Sequence, residues 1–462
     1  MTKKVSQPSM ERYIVPARQL SGTRDEVLAQ IDELILGLTG LRQLVSLHLP
    51  TPAEAPRRKL HLVKGFLKVL FVIGLALWAS PAQGQTGASG STPRAAQEQE
   101  GRQTQKAADN PWAGLVFGAT IETFYQYNWN RPPDRVLPLR AYDTRSNTFA
   151  IQQAGLIIDA APDVEAGRRF GGRVDLQFGM ATDTVQGNPG NEPRPEAYRH
   201  LWQVYGTYVL PVGPDGLQID AGKYASMLGY ETNYAKDNQA FSRAYLFNFL
   251  PYYHSGVRLT LPVNDRVSLL YMLSNGIQQT EDFNDFKSNH VAAVLQPASR
   301  VTWVVNYYFG QEQPDGGEPG GPDGFFKVFD TNVAVAATPR LALAVDLNYV
   351  TNEIVAGAES SSLQGLGAYA RYQLTTSAAV GVRYERLDDE GLFGGIDQVL
   401  QETTLTAEYK LADGFLVRAE FRRDWSNERI FPGRFGGADL RQVQNTALVG
   451  GVWWFGTKDG VW

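Results

Sequence analysis

The chain has 462 residues, a formal net charge of −5 at pH 7 and no cysteine, which excludes disulfide bonds and thiolate metal sites. No apolar run reaches about 18 residues, so the sequence contains no ordinary transmembrane helix. Residues 1–84 hold 11 Lys and Arg against 6 Asp and Glu, so the net charge of the remaining chain is −10. An acidic chain argues against a nucleic-acid partner.

The N-terminal region predicts an export signal over residues 63–84. Its apolar stretch 69–79 follows a basic cluster and leads into small residues, the three-part pattern of a secretory signal. Cleavage is expected after Ala82 or Gly84, and a buried core helix is the alternative. Residues 1–62 form an N-terminal extension. It is either a start placed too far upstream, with Val63 as the true initiator, or a cytoplasmic extension removed with the signal.

The following segment, residues 85–111, is rich in Gln, Ala, Ser and Gly and has no periodicity. Such a composition cannot bury enough apolar surface to fold, so it predicts a disordered periplasmic tether. Residues 112–462 then form the predicted main domain.

Sixteen short segments between residues 116 and 455 alternate apolar and polar residues, which is typical of β-strands with one apolar face. In residues 415–424 one face carries Phe415, Val417, Ala419 and Phe421 and the other carries Arg418, Glu420 and Arg422. A soluble sandwich would have to bury those charges. The pattern therefore predicts an all-β fold, a 16-stranded antiparallel transmembrane β-barrel with a polar lumen. The second strand changes phase near Gln152, which predicts a β-bulge.

Two kinds of connection alternate between these strands. Seven are short and rich in turn residues, and eight are longer and polar or Gly-rich, including residues 130–146, 180–197, 311–324 and 425–440. Short periplasmic turns and long external loops are typical of outer-membrane barrels. This alternation of turns and loops places both ends of the chain on the periplasmic side.

The third long loop, from about residue 224 to 252, is rich in aromatic residues. In barrels of this size the third loop folds inward and narrows the lumen, and the position and length here fit. A lid over the mouth or a subunit contact is the alternative. The residues expected in such a constriction are Tyr230, Glu231, Lys236, Arg243 and Tyr245.

Charged residues on the polar faces of the strands are the candidate lumen lining. The basic members are Arg173, Lys223, Arg258, Arg371, Arg383, Arg418 and Arg422, and the acidic members are Asp175, Asp346, Glu385, Glu408 and Glu420. Opposed rows of charge would create a transverse field that favours polar solutes. Alternatively, neighbouring Arg and Glu residues only neutralise one another and stiffen the wall.

Several segments together resemble a known family. They are GKYASMLGYE from Gly222, NQAFSRAYLF from Asn238, HSGVRLT from His254, SNG from Ser274, VRYERLDDEGLFGG from Val382, TLTAEYKL from Thr404 and VRAEFRRDWSNERIF from Val417. Their order and spacing resemble the OmpL-like family of β-barrel porins over nearly all of residues 112–455. The resemblance implies a pore in the outer membrane of Gram-negative bacteria, with no catalytic residues. Seven residues follow the aromatic end of the last strand at Phe455, and residues 1–62 have no place in the family pattern.

The predicted function is an outer-membrane porin, a passive diffusion channel for small hydrophilic solutes and ions. A substrate-specific channel for sugars or organic acids is the first alternative, with Tyr205 and Tyr369 as candidate contacts. A closed barrel with a structural or adhesin role is the second, and a soluble sandwich or lectin is the third.

No enzyme, cofactor or metal is expected. A hydrolase needs a nucleophile within hydrogen-bond reach of a base, and the neighbours His254 and Ser255 point to opposite faces of a strand. The acidic cluster at 388–390 matches no calcium-loop spacing. The expected partners are outer-membrane lipid, lipopolysaccharide and small polar solutes. Porins of this size are commonly homotrimers, and the sequence does not fix the assembly.

Overall fold

The computed structural model describes residues 114–186, 192, 194–213, 215–313 and 323–456. Sixteen strands in this part of the chain form one closed antiparallel barrel. Their bounds are β1 Leu115–Asn128, β2 Thr148–Ala160, β3 Phe170–Phe178, β4 Leu201–Leu210, β5 Leu217–Ala225, β6 Tyr253–Asn264, β7 Val267–Ser274, β8 Ser288–Ala298, β9 Val301–Gly310, β10 Phe326–Ala336, β11 Leu341–Asn352, β12 Ser361–Gln373, β13 Ala378–Glu390, β14 Asp397–Ala412, β15 Phe415–Ser426 and β18 Val443–Gly456.

Every barrel strand pairs with its neighbour in the chain, and β1 closes the ring by pairing with β18 from Gly118↔Gly456 to Asn128↔Thr446. Short turns and long loops alternate, so the prediction of sixteen strands in this topology is confirmed. We call the two ends of the barrel the loop end and the turn end, and number the long loops in chain order: loop 1 follows β1, loop 2 follows β3, loop 3 follows β5, loop 4 follows β7, loop 5 follows β9, loop 6 follows β11 and loop 7 follows β13. Loop 8, between β15 and β18, contains a small hairpin of β16 (Phe431–Gly433) and β17 (Gly436–Arg441).

The two faces of each strand differ as the alternation predicts. On β15 the carboxyl-bearing side chain of Glu420 is 5% exposed, whereas its neighbour Phe421 is 43% exposed. Apolar outward side chains suit a lipid environment, and charged side chains are kept on the inner face, where they find partners. The predicted orientation of Arg418, Glu420 and Arg422 is therefore confirmed.

The bulge in β2 is confirmed as well. Glu122 of β1 pairs with Gln153 and the next residue, Thr123, pairs with Ile151, so Gln152 is the extra residue. An extra residue reverses the faces of everything beyond it. It explains why the alternation in the sequence changes phase at this point.

The described helices are short: α1 Ala181–Val185 and α2 Pro195–Tyr198 in loop 2, and α3 Tyr245–Phe249 in loop 3. None of the helices in the described ranges is long and apolar enough to cross a membrane. The predicted extension (1–62), signal (63–84) and tether (85–111) lie outside the described residues. The sequence pattern predicts that loop 3 starts at about residue 224, but Tyr224 still belongs to β5.

Candidate functional site

Loop 3, residues 226–252, folds into the lumen. It leaves the wall after β5, crosses the barrel interior and returns to β6, and it contains α3 and a 3-10 turn at Ala235–Asp237. Phe241 and Tyr245 in its middle are fully buried. Loop 3 therefore lies inside the barrel, where its backbone contacts residues of the inner wall.

Four wall carboxylates accept hydrogen bonds from backbone N–H groups of loop 3. They lie on the alternate strands β1, β15, β13 and β11, so the loop is held by the side of the ring that faces β5 and β6, where it begins and ends. The pairs are Glu122 with Ala235 N at 2.7 Å, Asp346 with Tyr230 N at 3.1 Å, Glu385 with Tyr245 N at 2.6 Å and Leu246 N at 3.0 Å, and Glu420 with Phe241 N and with Ser242 N at 3.1 Å.

Three wall arginines bind the carbonyl groups of the same loop. Arg383 donates to Ser242 O at 2.7 Å and Arg422 donates to Arg243 O at 2.7 Å. Arg418 donates to three carbonyls, Ala240 O at 3.0 Å, Asn238 O at 2.7 Å and Ala235 O. Each of these arginines also pairs with a wall carboxylate: Arg383 with Glu402 at 2.7 Å, Arg418 with Glu408 at 2.6 Å and Arg422 with Asp424 at 2.7 Å.

The five residues predicted for the constriction all lie in loop 3 at the barrel interior. Glu231 accepts from Arg383 at 2.7 Å and from Ala244 N at 2.8 Å. Arg243 lies 3.6 Å from Glu122, and Lys236 pairs with its neighbour Asp237. The Tyr245 ring lies 4.5 Å from the Arg422 guanidinium, and the Tyr230 ring lies 4.7 Å from the Tyr369 ring.

The remaining predicted lumen charges are ion-paired near the wall. Arg173 binds Asp175 at 2.8 Å, Arg258 binds Asp220 at 2.7 Å and Arg371 binds Glu408 at 2.6 Å. Among these, the side chain of Arg371 keeps 29% of its surface exposed.

Sequence reasoning missed several acids that complete these pairs. Glu122, Asp220, Glu402 and Asp424 are all fully buried on inner-face positions. The period-two pattern places each of them on the polar face of its strand. Only the cross-strand register, such as Asp220↔Arg258, shows which arginine each one meets.

The prediction that Lys223 lines the lumen is wrong. In the register of β5 this residue lies on the outer face of the barrel. It pairs across the sheet with Val204 and Ser255, whereas its neighbour Tyr224 points inward at Arg258. Its ammonium lies 3.8 Å from the Tyr253 ring centroid.

Loops 2 and 4 pack near this position. Glu192 of loop 2 accepts from Tyr253 Oη at 3.2 Å and from Thr280 N of loop 4 at 2.7 Å. Arg194 and Tyr198 also bind Glu281. Hydrogen bonds from Arg194 and Tyr198 lower the pKa of the exposed Glu281 carboxyl to about 2.

Residues 114–455 match the sequence family described as "Putative beta-barrel porin-2, OmpL-like". The match covers most of the chain and the whole described barrel. The chain belongs to this family. It is a porin, a channel protein of the outer membrane, and the loop end of the barrel faces outside.

Several solved porin structures are similar to this porin. The anion-selective porin from Comamonas acidovorans is 9% identical with a TM-score of 0.48, covering 74% of this chain and 99% of that one. The outer membrane channel DcaP of Acinetobacter baumannii is 9% identical with a TM-score of 0.48, covering 74% and 97%. Salmonella typhi OmpF is 11% identical with a TM-score of 0.47, covering 74% and 97%. No curated protein matches the sequence.

A small cavity of about 60 Å³ lies between loop 3 of the porin and the wall. Met227, Leu228 and Tyr252 line it from the loop, and Val294 and Val304 line it from β8 and β9. Polar residues such as Gln203, Glu231 and Asn233 also line it.

The buried histidines of the porin contact the first residues of loop 3, directly or through Asn306. His254 lies 3.2 Å from Ser226 Oγ through Nε2 and 3.2 Å from Gly276 O through Nδ1. His290 lies 3.0 Å from Asn306 Oδ1, and Asn306 donates to Met227 O at 3.2 Å. Among the residues that the structure describes, no group of three or more His, Cys, Asp or Glu side chains is arranged to hold a metal ion.

Proposed function

We propose that this porin admits small hydrophilic solutes and ions by passive diffusion, and that loop 3 sets how much passes. The observation that carries the proposal is the crossing of the lumen by loop 3. Any solute that moves through the barrel must pass this loop or displace it. The lumen wall around it carries buried charges of both signs, which favours polar solutes over apolar ones.

The candidate lining residues belong to this proposal, with the exception of Lys223. Arg371 and Glu408 lie towards the turn end and are partly exposed, so they are the charges that a solute in the periplasmic vestibule would meet. Arg173, Asp175, Arg258, Asp346, Arg383, Glu385, Arg418, Glu420 and Arg422 are buried against partners. They would act on a solute through their field and through the position of loop 3.

A substrate-specific channel is less well supported than general diffusion. The residues that could contact a specific substrate are Tyr205 and Tyr369. Tyr205 packs edge-on against Tyr224 with ring centroids 6.2 Å apart, and Tyr369 packs against Tyr230. Both tyrosines are nearly fully buried. Neither ring is free to stack on a sugar.

The proposal includes no catalytic turnover. The Ser226–His254 contact resembles half of a hydrolytic pair, but the second ring nitrogen of His254 meets a backbone carbonyl instead of a carboxylate. A hydrolase also needs donors for an oxyanion. Anchoring of loop 3 accounts for both bonds.

The expected setting is outer-membrane lipid with lipopolysaccharide, and a homotrimer is the expected assembly. The outer face supports this setting, since Phe149 is 85% exposed and Phe170 77% exposed on adjacent strands. Native mass spectrometry of protein extracted in mild detergent tests both points. Trimers with bound lipopolysaccharide are expected, whereas lipid-free monomers would contradict the assembly.

Single-channel recording tests the function. Protein purified from outer membranes is inserted into a planar bilayer, and current steps and a salt-gradient reversal potential are measured. Steps that are linear in voltage and do not saturate with a solute would support passive diffusion. Saturable block by sugars or organic acids would favour the specific channel. A folded, inserted barrel that never conducts, even without its inward loop, would favour the structural or adhesin role.

A further inference from the structure

We infer that the extracellular half of the lumen is closed by an apolar plug, and that the porin conducts only when the plug moves. The inference rests on the proposed function, because a plug regulates only a barrel that can conduct. We define the apolar belt as Val328, Val350, Leu363, Leu387 and Leu400 of the wall. The plug consists of the loop residues that cover the belt, namely Leu246, Phe249 and Leu250 of loop 3, Phe393 of loop 7 and Phe431 of loop 8.

The apolar belt runs along the inner face of five consecutive strands, β10 to β14. Val328 pairs with Val350, Val350 pairs with Leu363, and Leu387 pairs with Leu400. An inner wall that faces water is normally polar. The row is interrupted between β12 and β13, where Leu363 pairs with Asp389 and Leu387 pairs with Gly365. Aliphatic residues on the inner face of all five strands still indicate a packed interior in this part of the lumen.

The belt is covered completely. All five of its side chains are 0% exposed. They belong to one cluster with Leu246 and Leu250 of loop 3 and Phe431 of loop 8. Phe393 of loop 7 packs edge-on against Phe249, with ring centroids 5.6 Å apart. Three external loops thus meet over the belt.

Next to the apolar belt, loop 1 contacts the inner face of β15 and β18. Arg140 of this loop binds Asp143 at 2.7 Å and Asp424 of β15 at 3.1 Å, and donates to Thr446 of β18 at 3.0 Å. Tyr142 donates to Asn233 of loop 3 at 2.6 Å. Loops 1 and 3 therefore contact each other inside the barrel, beside the loop residues that cover the apolar belt.

The turn end of the lumen differs. Its inward residues Gln218, Thr302, Arg371 and Gln373 are partly exposed. The porin has a vestibule open towards the periplasm and a seal towards the outside. Opening the seal would expose the belt to water, which is unfavourable in proportion to the apolar area uncovered, so the sealed state is the resting state.

The absence of native cysteine allows a direct test with engineered disulfides. A Cβ built on Gly365 lies 3.4 Å from Leu246 Cγ, and one built on Gly450 lies 2.9 Å from Phe241 Cγ. A cysteine Sγ takes roughly the place of a Cγ, so both pairs are within disulfide reach. Leu246→Cys with Gly365→Cys ties loop 3 to β12, and Phe241→Cys with Gly450→Cys ties it to β18.

Each double variant is recorded in planar bilayers after oxidation and again after reduction. Heat-modifiable migration on gels verifies folding, and the corresponding single-cysteine variants report the effect of each substitution alone. The expected result is at least a tenfold loss of open time in the oxidised form, restored by reduction. Two independent tethers keep the test informative if one pair fails to fold.

An oxidised double variant that conducts like its reduced form would overturn the plug and leave the proposed function intact. Deletion of residues 239–247 separates the other case. If wild-type protein is mostly silent and the deletion conducts, the plug is supported. If both are silent in folded barrels, the proposed function fails, and the plug has no current to regulate.

Discussion

Arg383 and Glu385, two residues apart on the inner face of β13, hold loop 3 by opposite groups of its backbone. Arg383 donates to the Ser242 carbonyl at 2.7 Å, and Glu385 accepts from the Tyr245 and Leu246 amides at 2.6 and 3.0 Å. Both side chains are almost fully buried. Neither side chain can form hydrogen bonds with water instead, so both depend on the backbone of loop 3 for their partners. The position of loop 3 therefore depends on both residues.

Replacing Glu385 with alanine should loosen loop 3. The Tyr245 and Leu246 amides would lose their acceptor in a buried position, which costs about 1–3 kcal/mol for each unsatisfied group. We expect a loss of about 3 kcal/mol in the free energy of unfolding, measured by urea titration in micelles, and a larger mean conductance. Glu428→Ala, at an exposed carboxylate of loop 8, is the control. Equal stability of the two variants would contradict the anchoring role.

Deleting residues 239–247 should raise single-channel conductance. The segment includes Phe241, which packs against wall residues of β1, β15 and β18, and the Tyr245 end of α3. Its removal leaves the strands of the wall intact and takes away the obstacle between the two ends. The measurement is the current step in a planar bilayer, on protein whose folding is verified by gel migration. An unchanged step in folded barrels would refute control of conductance by loop 3.

The strand pattern was readable from the sequence because every barrel strand has one lipid face and one inner face. The alternation at 415–424 identified the inward positions of Arg418, Glu420 and Arg422, and the phase change identified the bulge at Gln152. The partners of the inward charges were not readable. Loop 3 binds them largely through backbone N–H and carbonyl groups, which every residue carries and which leave no signal in a sequence.

Lys223 shows a second limit. Asp220 and Tyr224 fix the inner face of β5, and Lys223 is one residue out of phase with both. The charge of Lys223 suggests a lumen position, whereas its phase in the short strand β5 places it on the outer face. The apolar belt could not be predicted from the sequence either. Each of its members looks like an ordinary strand residue, and only the register shows that they lie near one another on five neighbouring strands.

Reversing the charge of Arg371 should move selectivity towards cations. Its side chain is 29% exposed and pairs with Glu408 at 2.6 Å. A unit charge about 4 Å from an ion in water contributes about 1 kcal/mol, and the reversal changes the charge by two units, or about 2 kcal/mol, so Arg371→Glu should shift the permeability ratio by up to about thirtyfold. The reversal potential in a salt gradient measures it. Arg429→Glu in loop 8 is the control, and equal shifts in the two variants would place Arg371 off the path.

The double variant Arg418→Glu with Arg422→Glu should also favour cations, and should in addition raise conductance. The two arginines donate to four loop-3 carbonyls in total. Charge reversal removes these bonds and brings carboxylates against carbonyl oxygens. An unaltered reversal potential with an unaltered current step would show that neither residue acts on permeation.

A polar residue in the apolar belt should open the channel more often. Leu387 is fully buried between the wall and the plug, and burying a leucine contributes about 1.5–3 kcal/mol. Leu387→Asn should therefore increase the ratio of open to closed time by about tenfold, the factor that corresponds to about 1.4 kcal/mol. Thr302→Asn, at a partly exposed inward position near the turn end, is the matched control. Identical open times in both variants would argue against a seal at the belt.

Glu312, in loop 5, should make the stability of the porin depend on pH. Its carboxylate accepts from Ile277 N at 2.8 Å, Ser288 Oγ at 2.7 Å and Tyr308 Oη at 2.5 Å. Burial raises the pKa of this carboxyl above its usual value of 4.5, and the hydrogen bonds offset the rise only in part. A raised pKa in the folded state means that the stabilisation is fully present below about pH 4.5 and is lost as the pH rises through the folded-state pKa.

Urea unfolding of the wild type and of Glu312→Gln in micelles, at pH 7 and at pH 4, measures this dependence. The free energy of unfolding of the wild type relative to the Gln variant should increase on acidification, because only the wild type gains a proton that the folded state prefers. Glu312→Ala should be less stable than both by about 2 kcal/mol at either pH, since its donors in loop 4 and on β8 lose their acceptor. A difference between wild type and Gln variant that stays constant with pH would mean that Glu312 titrates alike in the folded and unfolded chain.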